Sequence, residues 1–477
     1  MKGKVNKGFF SYLFMFVGIA LGVVLICCAI MMMSDVTIFG WKYEKHKTVY
    51  TVKTLDGEDG TKVLSGGQEI VPNATPTSID FKKLETVEIV SNDTKFELIH
   101  GDLDKIEVVN SVKGFSKESK IVDFEVLKNY DLENKKLTIT IIDRNPDLAL
   151  SNKKEAAIYV SDNAYKNLNI VVRTQSGNVN FATKAFRSSD IRDIVYGSVS
   201  VETKSGDVNF SNNVSFPAGY NIQTQSGKIT FNSNIQTSNI SLATNSGYIK
   251  GQNLKAENIS ISAESSFVEF GNIDGSVICG VKNGDFRTGN ISRSLIDESD
   301  VVDNTNFVVG NVGGDVTIPS ATKSNLTFGE ISGAVSLKTE SGSISIKKLK
   351  KFSEIVSKSG KVSVLVDANN NEKVFIQTKS GKVSAVFENV LGEKIIDTEK
   401  GDVNVVYKEG VVFKLSATTS KEISFPNENY SVSNQTIVGY PAVSDTEIET
   451  SNTLTITSKS GDINISRKGQ VSFDLVS

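Results

Sequence analysis

Serine stands directly before a corner glycine eight times along this 477-residue chain, at Ser176, Ser205, Ser226, Ser246, Ser341, Ser359, Ser380 and Ser460. A serine nucleophile needs a base beside it. The chain offers only His46 and His100, both outside the stretch that carries the serines. The hydroxyls therefore read as turn groups that hydrogen-bond neighbouring backbone. Carboxylates are the next candidates, because glycoside cleavage needs a close pair. Asp207, Asp402 and Asp462 each follow a corner glycine, and the sequence spreads them over separate turns. Lys358, Lys361, Lys379 and Lys382 fall at two successive corners, a possible grip for anionic wall polymers. Glu340, Glu399 and Asp402 flank them, so a solvated ladder of alternating charge explains the same pattern. No catalytic, cofactor-binding or metal-ligating set emerges, and no cofactor is implied. Formal net charge is −3, which leaves no nucleic-acid footprint. Of three cysteines, Cys27 and Cys28 lie in an apolar run and Cys279 in a core slot, so no disulfide framework is expected.

These residues are spaced by a repeat. The corner reads Thr-x-Ser-Gly at Gly177, Gly206, Gly227, Gly247, Gly342 and Gly381, and Ser-Lys-Ser-Gly at Gly360 and Gly461. Looser copies fall at Ser266, Gly284 and Gly401. Gly206 to Gly227 is 21 residues, Gly227 to Gly247 is 20, and Gly342 to Gly360 is 18. A fixed period near twenty signals a solenoid or array. Aligned on the glycine, apolar residues fall five positions earlier (Val201, Ile222, Leu242, Ile261) and seven earlier (Val199, Tyr220, Ile240, Ile259). Others fall two and four positions later, as in Val208/Phe210 and Ile229/Phe231. Alternation at period two marks a strand with one buried face. The parity slip at glycine predicts a tight turn with positive φ. A third apolar position (Ile273, Ile291, Val312, Ile331, Leu349) predicts a shorter third side. The fold class expected is all-β: a parallel β-solenoid (β-helix) of roughly fifteen short turns.

Ahead of the repeats, Met1–Gly8 carries three lysines and no acid, and the 25 residues Phe9–Met33 carry no charge. At about 1.5 Å per residue, such a helix is roughly 37 Å long and spans a bilayer with some tilt. A cleaved signal peptide would have a shorter apolar stretch ending in a small-x-small site, whereas this run continues into Met31-Met32-Met33. The expected organisation is a cytoplasmic N-terminus (1–8), a transmembrane helix (9–33), a juxtamembrane connector (34–80), a strand-rich N-terminal cap (81–165) and solenoid repeats (166–477). Lysines on both sides of the span weaken the orientation rule; the reading is N-inside with the repeats extracellular. Val471–Val476 reads as one more apolar strand, leaving an edge open to self-association.

Thr203-Lys-Ser-Gly-Asp-Val-Asn-Phe210 and Ser458-Lys-Ser-Gly-Asp-Ile-Asn-Ile465 carry a resemblance to the putative-adhesin β-strand repeat family of bacteria. It covers Phe81–Ser477, resting on periodicity alone between Asp285 and Thr327. That resemblance implies a membrane-anchored strand-repeat protein and supplies no catalytic or binding residues. The function expected is a non-enzymatic, adhesin-like module at the cell surface. Its partners would be glycans, wall polymers or surface proteins. The alternatives are a self-assembling envelope scaffold, a membrane-tethered envelope-stress regulator and, last, a polysaccharide-active solenoid enzyme.

Overall fold

The computed structural model describes residues 7–34, 36–39, 41–53, 60–65, 68–70, 84–100, 105–117, 124–131, 133–143, 148–160, 168–181, 194–211, 214–299, 302–426, 430–433, 436–439 and 451–475. The chain divides into two compact units, Met1–Ile191 and Arg192–Ser477.

In the second unit the expected columns form. Val201 pairs with Ile222, Ile222 with Leu242, and Leu242 with Ile261, all in parallel register. Beyond them the same column runs through Cys279 and Asp297. Ile318, Leu337, Ile355, Ile376 and Ile396 continue it. A typical turn has three strands: Gly219–Thr224, Ile229–Phe231 and Ile235–Gln236. The third side pairs Ile273 with Ile291, Ile291 with Val312, Val312 with Ile331, and Ile331 with Leu349. Each column residue is buried on both neighbours, and removing one such side chain would cost about 2–5 kcal/mol. Aromatics stack in the same way: the Phe210 and Phe231 rings lie 4.7 Å apart at 9°.

The corners form for a different reason from the one the sequence suggests. Gly227, Gly247, Gly360, Gly381, Gly401 and Gly461 do not adopt positive φ. A Cβ at Gly247 would lie 1.8 Å from the carbonyl oxygen of Gly227, and one at Gly381 2.0 Å from that of Gly360. Glycine is required because each corner's backbone packs directly onto the one before. Threonine three residues earlier accepts the glycine N–H, at 2.8 Å for Thr224–Gly227 and 2.9 Å for Thr398–Gly401. Ser357 and Ser458 do this at Gly360 and Gly461. Asp207 and Asp402, just after the corner, accept N–H groups of Lys228 and Asp462 in neighbouring turns.

An asparagine ladder on the third side was not foreseen. The side-chain oxygens of Asn253, Asn272 and Asn290 accept the backbone N–H of Asn272, Asn290 and Asn311, each at 2.8 Å. Asn311 continues it to Glu330.

The chain's last strands are not the end of the column. Thr453–Ser458 lies between Glu393–Thr398 and Lys414–Thr419, parallel to both. Ile463–Lys468 pairs with Val403–Lys408 and with Ile423–Ser424. An antiparallel hairpin, Tyr430–Ser433 with Thr436–Gly439, then adds to Lys414–Thr419. The expected terminal edge is thereby corrected: the final turn is clasped on both sides. Phe473–Leu475 is a single 3₁₀ turn, not a strand. Val471 and Phe473 pack over Leu365, Val386 and Val406, so strands there are buried on both faces. Val476 lies outside the described residues.

Among the described residues of the first unit, the helix Tyr12–Ser34 is long and apolar enough to cross a membrane. The stretch read as an irregular connector begins with a 13-residue strand, Trp41–Lys53, antiparallel to Lys105–Lys117. Pro72, Pro76 and most of that connector lie outside the described residues. Strands in the stretch assigned to the cap pair in parallel with one another and with the first repeat strands. Thr86–Val90 lies between Lys136–Asp143 and Asn169–Thr174, parallel to both, with Val87 opposite Leu137 and Ile170. Lys95–His100 likewise lies between Leu148–Val160 and Val179–Phe181.

Candidate binding surfaces

Backbone pairing brings the four lysines together. Ser380 N–H donates to the Lys358 carbonyl at 2.8 Å, and Val362 N–H to the Lys382 carbonyl at 2.9 Å. Lys358 and Lys379 thus stack before the corner, and Lys361 and Lys382 after it. All four are exposed. The Lys358 ammonium is paired with Glu340 on the turn below. On the turn above, Ser460 N–H donates to the Glu399 carbonyl and Val403 N–H to that of Asp462. The clasped final turn therefore sets Asp402 and Asp462, 60 residues apart in sequence, on adjacent corners of two neighbouring turns. Both are exposed, and one Asp402 oxygen already accepts the Asp462 N–H at 3.0 Å.

A second surface is an open groove of about 530 Å³ on the outward face of five successive first strands. Ser200, Asn221, Ser241 and Ser260 form one row along it, and Asn239, Asn258 and Ser276 another. Asn258 donates to the Asn239 side-chain oxygen at 2.9 Å. The lining carries no charged side chain: the Ser and Asn rows, at the strand spacing of about 4.8 Å, share it with apolar residues, of which Ile278 stands exposed at the end of the Ser200 row.

The third surface escaped the sequence reading. A recess of about 660 Å³ opens where the corner motif degrades, around Ser266 and Gly284. Tyr248 and Phe267 lie side by side in it, each half-buried, because Ile249 pairs with Val268. Lys228 Nζ sits 5.2 Å from the Tyr248 ring centre and the Arg287 guanidinium 5.5 Å from that of Phe267. The signal was present in the sequence: aromatic residues occupy the slot after the corner, which elsewhere holds Lys, Asp, Asn or Ser.

Two ionisable groups sit inside the column and belong to its stability. Asp297 takes an apolar slot above Cys279 and is 2% exposed. Burial pushes its carboxyl up to about 6. One oxygen accepts the Ser299 hydroxyl at 2.7 Å, and the other has no partner. Lys394 lies between Val374 and Leu454, fully buried. It donates to the carbonyls of Asn370 and Glu372, and burial lowers it to about 8. In the first unit Glu88 is buried between Lys136, Thr138 and Arg173. Burial raises its carboxyl, but the Lys136 hydrogen bond and the Arg173 charge hold it below the usual range. The side chains of His46 and His100 lie outside the described residues. Among the described residues, no three His, Cys, Asp or Glu side chains gather in a way that could hold a metal ion.

Coiled strands with a Ser-Gly corner are what the Toastrack DUF4097 family profile matches, over residues 213–278 and 271–466, more than half the chain. The chain belongs to the Toastrack family. No curated protein matches this Toastrack chain. A solved structure, described as a putative cell adhesion protein from Clostridium sporogenes ATCC 15579, matches 81% of this chain and 94% of its own at 8% identity. Its TM-score is 0.13, so that likeness carries no argument.

Proposed function

We propose that this Toastrack chain is a non-enzymatic, membrane-tethered surface module of adhesin type. The observation that carries the reading is the uncharged groove of Ser and Asn rows across five turns. Small donors and acceptors repeated at strand spacing suit weak, multivalent contact with a glycan or protein surface, where linking many weak contacts raises avidity. A hydrolase would need a water-excluding cleft around its acid and base. Asp402 and Asp462 stand exposed instead. The apolar helix Tyr12–Ser34 supports the tether, and the lysines without acids at Met1–Gly8 support an N-terminus on the cytoplasmic side with the repeats extracellular.

Cells expressing the full chain should adhere to host or wall material more than cells without it, and external protease should remove the repeats and the adhesion together. Repeats protected from protease in intact cells would overturn the orientation, and unchanged adhesion on deleting the gene would overturn the module. An assembly driven by a free C-terminal edge loses its basis, because the final strands are paired on both sides.

A further inference from the structure

The recess at Tyr248 and Phe267 departs from the repeat in three ways that point to one kind of ligand. First, two neighbouring aromatic rings replace the charged residues of their column, Lys228 below and Asp285 above. Half-exposed rings beside each other present an apolar face in a setting where solvated side chains would serve the fold equally well. Second, Ser266 takes the place of the corner glycine. It is 93% buried, from a 7% exposure, lines the recess, and its hydroxyl has no hydrogen-bond partner. A buried hydroxyl without a partner is destabilising, and local rules are broken most often where a surface has work to do. Third, the charges balance. Arg287 is bound to Asp285 at 2.7 Å, whose other oxygen accepts the Asn306 amide at 2.9 Å. The backbone N–H of Lys228 donates to the Asp207 carboxylate at 2.9 Å, which places a negative charge on the same corner as that lysine.

A ligand matching this surface has a flat C–H face for the rings, hydroxyls for Ser266, Asn283 and Asp285, and no net charge. We infer that the recess is a saccharide subsite, in which an uncharged pyranose unit of a glycan lies against Tyr248 and Phe267. The inference rests on the binding-module reading and names the ligand class for one part of that surface. The Ser and Asn rows, on the preceding strands of the same turns, supply further hydroxyl contacts to a longer chain.

The full chain, reconstituted in nanodiscs, is tested for retention on immobilised neutral oligosaccharides (β-glucan and N-acetylglucosamine oligomers) and on acidic ones. Three variants are compared. One is Tyr248→Ala with Phe267→Ala. The second is Tyr248→Lys with Phe267→Asp, which installs the residue types their own column uses elsewhere and so protects the fold. The third is Ser266→Gly, which restores the repeat's own corner. Neutral glycan should be retained by the natural chain, weakened about tenfold or more by either double variant, and weakened several-fold by Ser266→Gly with melting unchanged or raised. Retention of neutral glycan unaffected by both double variants overturns the inference, as does retention of acidic glycans alone. Loss on Ser241→Lys in the groove with no loss at the recess also overturns it and leaves the module reading standing. If no glycan is retained while the chain still promotes cell adhesion, the saccharide subsite falls and the module stands; if adhesion is absent too, both fall.

Discussion

Two sets of corners occupy equivalent places in this coil. At Gly360, Gly381 and Gly401 each backbone rests on the one below, leaving no room for a Cβ, and a hydroxyl closes the turn from within. At Ser266 and Gly284 the column changes. Gly284 takes a left-handed φ of 136°, Asn304 one of 61° in the following turn, and the inward aspartate Asp297 lies between them in sequence. The regular set is optimised for stacking, and its surface is a row of solvated charges. The irregular set still stacks, a Cβ at Gly284 falling 1.9 Å from the Ser266 carbonyl oxygen, but it has Ala263 and Val281 where the closing hydroxyl would stand, and there the aromatic recess opens. In a repeat protein, whose stability is a sum of turns and neighbour contacts, one poor turn is tolerated when its neighbours are good.

That contrast can be broken by measurement. The largest effect is expected from Gly381→Ala, where the added methyl meets the Gly360 carbonyl: a loss of about 3 kcal/mol, read from the denaturant midpoint. A loss below about 1 kcal/mol would show that the corners are not packed as described. Next comes Asp297. Its folded carboxyl titrates near 6 against 3.8 in the unfolded chain, so the folded state holds the proton more tightly. Stability should fall as pH rises through that window, by about 2–3 kcal/mol, and stay flat above it. Asp297→Asn should flatten the profile; a variant with the natural slope would place the titration elsewhere. Thr398→Val removes the acceptor of the Gly401 N–H and should cost about 1 kcal/mol by thermal melting, the same order as other single hydrogen bonds. The smallest effect on the fold belongs to charge reversal at Lys358, Lys361, Lys379 and Lys382. Melting should move by under about 1 kcal/mol, because exposed pairs contribute little. Retention on anionic wall polymer should drop about tenfold if this corner grips such polymers, and equal retention would reduce it to a charge ladder.

Much of the coil was legible from residue spacing, because a column of Val201, Ile222, Leu242 and Ile261 is a direct projection of period onto space. The glycines were found for a wrong reason. Positive φ and close backbone approach both select glycine, and spacing alone does not separate them. The asparagine ladder was hidden because Gly-Asn also reads as an ordinary turn signal. Asp297 and Lys394 occupy apolar slots that only the strand register identifies, since each has a polar partner from a neighbouring loop. Most instructive is the order of turns. Consecutive elements are usually adjacent in space, and that expectation fails at Thr86–Val90 in one unit and at Thr453–Ser458 in the other. The recess was missed for a related reason: Tyr248 and Phe267 lie 19 residues apart and become neighbours only through the coil.

The clasped final turn has a consequence for how the molecule is made. A coil built in chain order can grow turn by turn as it leaves the ribosome or crosses a membrane. Here the slot between Glu393–Thr398 and Lys414–Thr419 stays vacant until Thr453–Ser458 arrives. Maturation therefore waits on a strand made well after both of its neighbours, and a chain released before it would carry an unfilled gap that quality-control proteases can recognise.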